Sequence, residues 1–470
     1  MKQTTQWNDH EERDLPGAQP PRRLTFLKFF MRYPIFILGF GPPLFRSAGV
    51  DATKGNLDAW SFLQVGMLLA VVAHALLRLA YAESIFMPKQ IRLILNLTLV
   101  LNFLFLASAA YSPSQFVSAF YAIVDILILV CVAQFIADVY KDPPDWMQCL
   151  FQLRSMAFLQ LGLVLITLAF KPSSVVVIEP GVGVRLYGGG VAPVALICPL
   201  IAIISAYTFL YSLESRSKSS LFFMVGLAGT LITQSRGGEI ALIISLALVI
   251  AGWAKMNRRT AYIFISGIMA FTLLFGTVVA TIGIERIWQI VNRGESAEGI
   301  ASASGRTDIW KFVIHYCMGH PLGMGYIAGF RILFRSYFSL GSSLKTSHIG
   351  NTHNAFMEVL AGAGWPALAL YLLIMAMIVF RGMRSVIKPA FSSITFDSAA
   401  YHANRCTLAL LVCCFAGGMS DADFAVPMRV AFYLQNIIIA IILGISGRMI
   451  AVYRSRRSDD LRKVSYGMIP

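Results

Sequence analysis

The chain has 470 residues, 57% hydrophobic and 13% charged, with a formal net charge of +15 and a mean hydropathy of +0.68. A soluble chain of this length has no interior large enough for so much apolar surface, so the composition excludes a soluble domain. The positive charge alone would suit a nucleic-acid partner, but its placement along the chain argues for a membrane topology instead.

The first 20 residues are polar and mixed in charge. They lack a short apolar core followed by a small-residue cleavage site, so they read as a tail rather than a removed signal peptide. Twelve apolar runs follow, near 25–45, 58–79, 92–110, 117–139, 151–170, 191–213, 221–234, 238–254, 261–283, 362–380, 404–420 and 428–447. Most approach the ~20 residues needed to cross the hydrocarbon core of a bilayer. In lipid they must be helices, because each backbone N–H and C=O has to be satisfied within its own segment. The expected fold is an all-α polytopic membrane protein with about twelve transmembrane helices. Its parts are a tail (1–24), nine helices (25–283), a large helical loop (284–361), three helices (362–447) and a second tail (448–470). Only Gln234-Ser235-Arg236-Gly237 divides the seventh run from the eighth, which leaves a tight hairpin and a bent pair of half-spans both open.

With the N-terminus placed in the cytoplasm, most of the 39 lysines and arginines fall on the cytoplasmic side. Many of the others lie in the long loop, where the positive-inside rule has little force. Both termini are therefore expected inside and the loop outside. The excess charge would meet anionic lipid head groups. The seven cysteines are scattered and form no C-x-x-C, so neither a disulfide nor a zinc site is expected.

This topology sends four polar features to the outer face. Arg185 precedes a run of glycines, Gly188-Gly189-Gly190, in the connection 171–190. Arg236 interrupts a long apolar stretch, and an arginine at membrane depth costs ~2.5–3.5 kcal/mol on insertion scales unless it is paired or used. Arg306 opens Arg306-Thr307-Asp308-Ile309-Trp310, which reads as a helix start. Asp421 and Asp423 close the set, and a structural role, a cap or a pair with Arg429, is favoured for them. Each arginine has an ordinary alternative: a solvated loop charge for Arg185, a snorkelling group or Glu239 pair for Arg236, an interfacial anchor or Asp308 pair for Arg306.

His353 stands where an apolar helix begins, with Phe356, Met357 and Leu360 at helical offsets, Thr352 as the expected cap and Asn354 as a donor in the first turn. A histidine titrates near pH ~6.5 and can take a proton from a hydroxyl; the alternative is a buried structural histidine. His315/His320 and His348/His353 are five apart, a spacing that does not share a helix face, so no metal site is expected.

These segments, in order, are Arg185 with its Gly-rich loop, Ser235-Arg236-Gly237, Gly305-Arg306-Thr307-Asp308-Ile309-Trp310, His320-Pro321-Leu322-Gly323-Met324-Gly325, and His353-Asn354 leading into Ala361-Gly362-Ala363-Gly364-Trp365-Pro366. The arrangement resembles the O-antigen ligase and Wzy-type polysaccharide polymerase superfamily, firmly over roughly 180–380. The Gly-Gly-Gly-Val-Ala-Pro after Arg185 departs from the Asn-Pro often found there. The resemblance implies a cofactor-free, metal-independent glycosyltransferase in the bacterial inner membrane, with 284–361 in the periplasm. It implies an undecaprenyl-diphosphate-linked glycan donor and a saccharide acceptor, with a flippase and a chain-length regulator as further partners. It places Arg185, Arg236 and Arg306 at the diphosphate and His353 at the acceptor hydroxyl, supported by Asn354, Asp308 and Trp310. Two segments look more like those of exopolysaccharide polymerases than of ligases. A flippase or transporter of lipid-linked sugars is the rival from another class, and it would show repeated halves and charge at several depths.

Overall fold

The computed structural model describes residues 24–39, 59–81, 87–141, 144–170, 176–179, 183–186, 191–233, 235–256, 306–338, 352–387, 398–419, 424–427 and 431–447, together with 172 and 429. The expected ninth span (261–283), both tails, the glycine run 188–190, Asp421 and Asp423 lie outside the described residues.

Among the described residues the chain is almost entirely helical. Helix α1 (Phe26–Arg32) is followed by α2 (Ile35–Leu38), α3 (Ala59–Ala80), α4 (Lys89–Ser108), α5 (Gln115–Lys141) and α6 (Trp146–Phe170). An antiparallel hairpin comes next, β1 (Val176–Glu179) with β2 (Gly183–Leu186), in which Val177 faces Arg185. Then follow α7 (Val191–Leu210), α8 (Arg216–Thr233), α9 (Arg236–Met256), α10 (Arg306–Gly319), α11 (Ala328–Phe338), α12 (Ala355–Ile387) and α13 (Ser398–Gly418). The last is α14 (Ala431–Gly447).

The protein is a multi-pass membrane protein. Among the described residues six helices, α3, α4, α5, α6, α12 and α13, are long and apolar enough to cross a bilayer, and α7 and α14 contain shorter apolar stretches. The first expected run is not one helix over its described part. It breaks at Tyr33-Pro34, because proline lacks an N–H and pushes the residue before it out of the α region; Tyr33 sits at φ −121°, ψ 70°. The seventh and eighth runs are two helices, α8 and α9, and both pack against α7. Small residues permit that approach: a Cβ on Gly226 would stand 2.6 Å from the Ala202 nitrogen. Close backbone contact is the usual route to helix association in lipid.

Helix register fixes which ends lie together. Gly238 of α9 meets Ala195 of α7, and Gly252 of α9 approaches Tyr211 just beyond α7, so α7 and α9 run parallel. The far ends of both meet α13, where Arg405 approaches Gly252 and His402 Nδ1 lies 2.9 Å from the Tyr207 hydroxyl. The other end of α13, Gly418–Met419, therefore lies at the end where α7 and α9 begin. Helix α12 starts there too, with Ala355 against Gly418. This is the loop end of the bundle.

A second, small core sits there. Ile309, Val313 and Cys317 form one stripe on α10 at four-residue spacing. They cluster with Met324, with Phe330 and Phe334 of α11, and with Leu360 and Ala361 of α12. Burying a side chain of this kind contributes about 1.5–3 kcal/mol, so the described part of the loop is a folded unit.

Candidate functional site

Helix α12 is broken near its start. Ala363 has φ −136° and Gly364 has φ 76°, ψ −165°, a backbone region open in practice only to glycine. Pro366 then opens the long straight segment, where its missing N–H costs nothing. The turn His320–Gly325 fills the break by backbone pairing. Met324 N donates to Ala361 O (2.6 Å), Gly325 N to Gly362 O (3.0 Å) and Trp365 N to Pro321 O (3.0 Å). The Trp365 indole donates to Cys317 O at 3.2 Å, and the Tyr111 hydroxyl donates to Leu322 O. The two glycine-rich motifs, distant in sequence, are halves of one interlock.

Tyr326 ends this turn and ties it to the membrane helices. It is 1% exposed and stacks on Phe105 with ring centroids 4.0 Å apart. Its hydroxyl donates to Asp125 Oδ2 (2.6 Å) and lies 3.1 Å from Ala425 O. Ser108 Oγ accepts from Tyr326 N, and Ser118 Oγ donates to Tyr326 O. Burial first, then the Asp125 charge, pushes the phenol well above its ordinary range, so it stays a hydroxyl donor. Burial likewise pushes the Cys317 thiol up to about 11, which keeps it an inert core group.

The segment Thr352–Asn354 is held from three sides. The Trp310 indole of α10 donates to Thr352 O at 3.0 Å. Glu358, 1% exposed, accepts from Thr352 N (3.2 Å) and lies 2.9 Å from Thr352 Oγ1. Asn354 Oδ1 accepts from Phe356 N (2.9 Å) and Met357 N (3.1 Å), while its Nδ2 donates to Met419 O at 3.0 Å. The cap of α12 is thus Asn354 and not Thr352, because the helix begins at Ala355. His353 lies before the helix at φ +51°, so a left-handed kink rather than helical periodicity aims it. Left-handed histidines are uncommon, and strained backbone clusters at functional sites.

Arg306 and Arg236 are the first residues of α10 and α9. Arg306 lies one helical turn before Trp310, on the neighbouring face, and so on the side of α10 that reaches Thr352. Asp308 on the same helix faces Lys311 at 3.7 Å; both are exposed, and such a pair contributes little. Arg236 begins α9 at the loop end, behind Ser235, whose Oγ accepts from Gly238 N at 3.3 Å. The backbone of Arg185 lies in β2, which packs against α7 and α8 at that same end. The four candidate positions therefore share one end of the bundle. Among the described residues, no three His, Cys, Asp or Glu side chains gather as a metal site. A largely apolar cleft lined in part by Tyr326 runs between α4, α5, α12 and α14, with Asn102, Asp125 and Gln435 among its polar lining.

Residues 221–372 match the protein-family model Wzy_C, described as O-antigen ligase. This segment belongs to the O-antigen ligase and Wzy-type superfamily. No curated protein matches the chain. The ligase segment takes in Arg236, Arg306, the interlocked glycine motifs and His353, while Arg185 lies outside it. Over this segment, and in its apolar helices, the protein is similar to membrane enzymes of the ligase and polymerase type. The sequence reading missed Tyr326 and Asp125, although an acid inside an apolar span was a usable signal for Asp125.

Proposed function

We propose that the protein moves a glycan from an undecaprenyl-diphosphate carrier to an acceptor sugar at the periplasmic face of the bacterial inner membrane. The reading is an exopolysaccharide or O-antigen polymerase, with both termini cytoplasmic, about twelve spans, and a flippase and chain-length regulator as partners. The description of the matching family favours a second reading, the ligase that joins O-antigen to lipid A core. The observation that supports the proposal is the Trp310–Thr352 hydrogen bond, which ties the residue before His353 to the helix that Arg306 begins.

In this mechanism His353 takes the proton of the acceptor hydroxyl as its oxygen attacks the anomeric carbon. The bond from that carbon to the diphosphate breaks, and the electron pair leaves on the phosphate oxygen. Arg185, Arg236 and Arg306 hold the charge, since guanidinium forks bind phosphate oxygens in pairs and stay protonated. A clamp of this kind in a partly dry site favours the transition state over the ground state. Direct attack inverts the anomeric centre. Asn354, Asp308 and Trp310 position the reacting groups, and the cleft lined in part by Tyr326 suits the polyprenyl tail.

Purified protein in proteoliposomes, given a lipid-linked repeat unit, should extend it in excess EDTA. Turnover that stops in EDTA and returns with Mg²⁺ would remove the claim that arginines alone neutralise the diphosphate. No elongation with any acceptor, but transfer to lipid A core, would select the ligase.

Topology has its own test. All seven native cysteines are buried, so they should escape an impermeant maleimide. A cysteine at Lys311, an exposed position, should label in intact spheroplasts, whereas one at Asp459 should label only after lysis. The reverse pattern would put the loop in the cytoplasm and sink the assignment.

A further inference from the structure

Arg331 lies in the first turns of α11 and is only 7% exposed. Its enclosed Nε makes no hydrogen bond, and among the described residues no carboxylate pairs with its guanidinium. Arg154 is 2% exposed and its Nε is likewise unbonded, but its charge is answered by Glu214 at 2.8 Å. A buried cation without a partner is destabilising. Local electrostatics add to this. The first turn of α11 has no acidic residue, and the start of a helix is the positive end of its dipole. A guanidinium in this setting favours an anion.

The surroundings indicate which anion. Helix α11 starts two residues after Tyr326, at the end of the turn that interlocks with the α12 break. Ile327 between them has φ +59°, an outlier for a β-branched residue. Phe330, beside Arg331, packs in the same small core as Ile309 of α10 and Leu360 of α12. Arg331 is thus carried by the folded unit that also holds Arg306 and leads into His353.

We propose that Arg331 is a further diphosphate-binding residue, which takes a phosphate oxygen of the lipid-linked donor beside Arg236 and Arg306. The inference rests on the donor reading given above. Phosphate oxygens could also come from free diphosphate or from a phospholipid head group, and the test separates these sources.

Full-length protein in zwitterionic nanodiscs would be titrated with undecaprenyl diphosphate, with inorganic diphosphate, and with added phosphatidylglycerol. Arg331→Met keeps the apolar stem and removes the charge; Arg331→Gln keeps hydrogen bonding. Both should bind undecaprenyl diphosphate about 10–100-fold more weakly, the worth of a charge-assisted hydrogen bond. Arg331→Lys should rescue poorly. Arg331→Met should melt at or above the wild-type temperature, because an unpaired buried charge has been removed. A purely structural arginine would lose stability instead, and a large drop in melting temperature in both variants would overturn the proposal. So would a folded Arg331→Met with wild-type affinity, or one that loses only phosphatidylglycerol or only free diphosphate binding. If Arg236→Gln weakens binding while Arg331→Met does not, Arg331 alone falls. If wild-type protein does not bind undecaprenyl diphosphate, the donor reading falls with it.

Discussion

His353→Ala should cut glycan transfer by ~10²–10⁴, the usual worth of a positioned general base, while donor binding stays nearly intact. The expectation comes from where the side chain is held. Thr352 and Asn354, on either side of it, are fixed to Trp310, Glu358 and Met419, so the kink at His353 has little freedom to relax. Arg306→Ala and Arg236→Ala should behave differently, weakening both donor binding and transfer, and lysine should rescue them poorly because it lacks the planar fork. Transfer and binding measured on the same folded preparations separate the two classes. A well-folded His353→Ala enzyme with near-normal transfer would remove the histidine from the mechanism. Glu358, which already contacts Thr352, would then be considered as the base, with Asp308 and Glu239.

Gly364→Ala should be the most damaging single methyl group in the described fold. At φ 76°, ψ −165° a side chain is strained at any size, and the added Cβ would stand 1.9 Å from Pro321 O. That contact is with backbone inside the interlock, so no flexible side chain can yield. Backbone strain of about 1–3 kcal/mol and overpacking of a similar size together amount to a large part of a typical domain's stability. The variant should melt far below wild type or fail to accumulate. Gly66→Ala is the matched control: its Cβ would meet nothing within 4 Å, and alanine is favoured in a helix. A Gly364→Ala protein that melts with the Gly66→Ala control would disprove the interlock.

The membrane class was legible from composition, because apolar runs of bilayer length have few other uses. Candidate residues stood out where a charge interrupted such a run, as Arg236 does, or where short motifs followed in a recognisable order. The order of the motifs also located the family segment, since 221–372 includes most of them. Helix ends were less legible. Thr352 looked like a cap because threonine caps helices often, but Asn354 is the residue whose carboxamide meets the first free N–H groups.

Other features depended on contacts between residues far apart in the chain, which no local pattern encodes. His320–Gly325 and Ala361–Trp365 each read as a loop or a helix start, and only packing makes them one interlock. Tyr326 and Asp125 meet across 201 positions, so neither predicts the other. Arg331 reads along the sequence as an ordinary charge on a helix, because burial and missing partners are properties of the folded neighbourhood. The sequence by itself determined that the chain lives in a membrane and which polar residues interrupt it, because the bilayer acts on each segment separately. Tertiary structure decided which of those residues share an end of the bundle, how His353 is aimed and which arginine is buried without a counter-charge among the described residues, because those depend on helix register and close packing between segments.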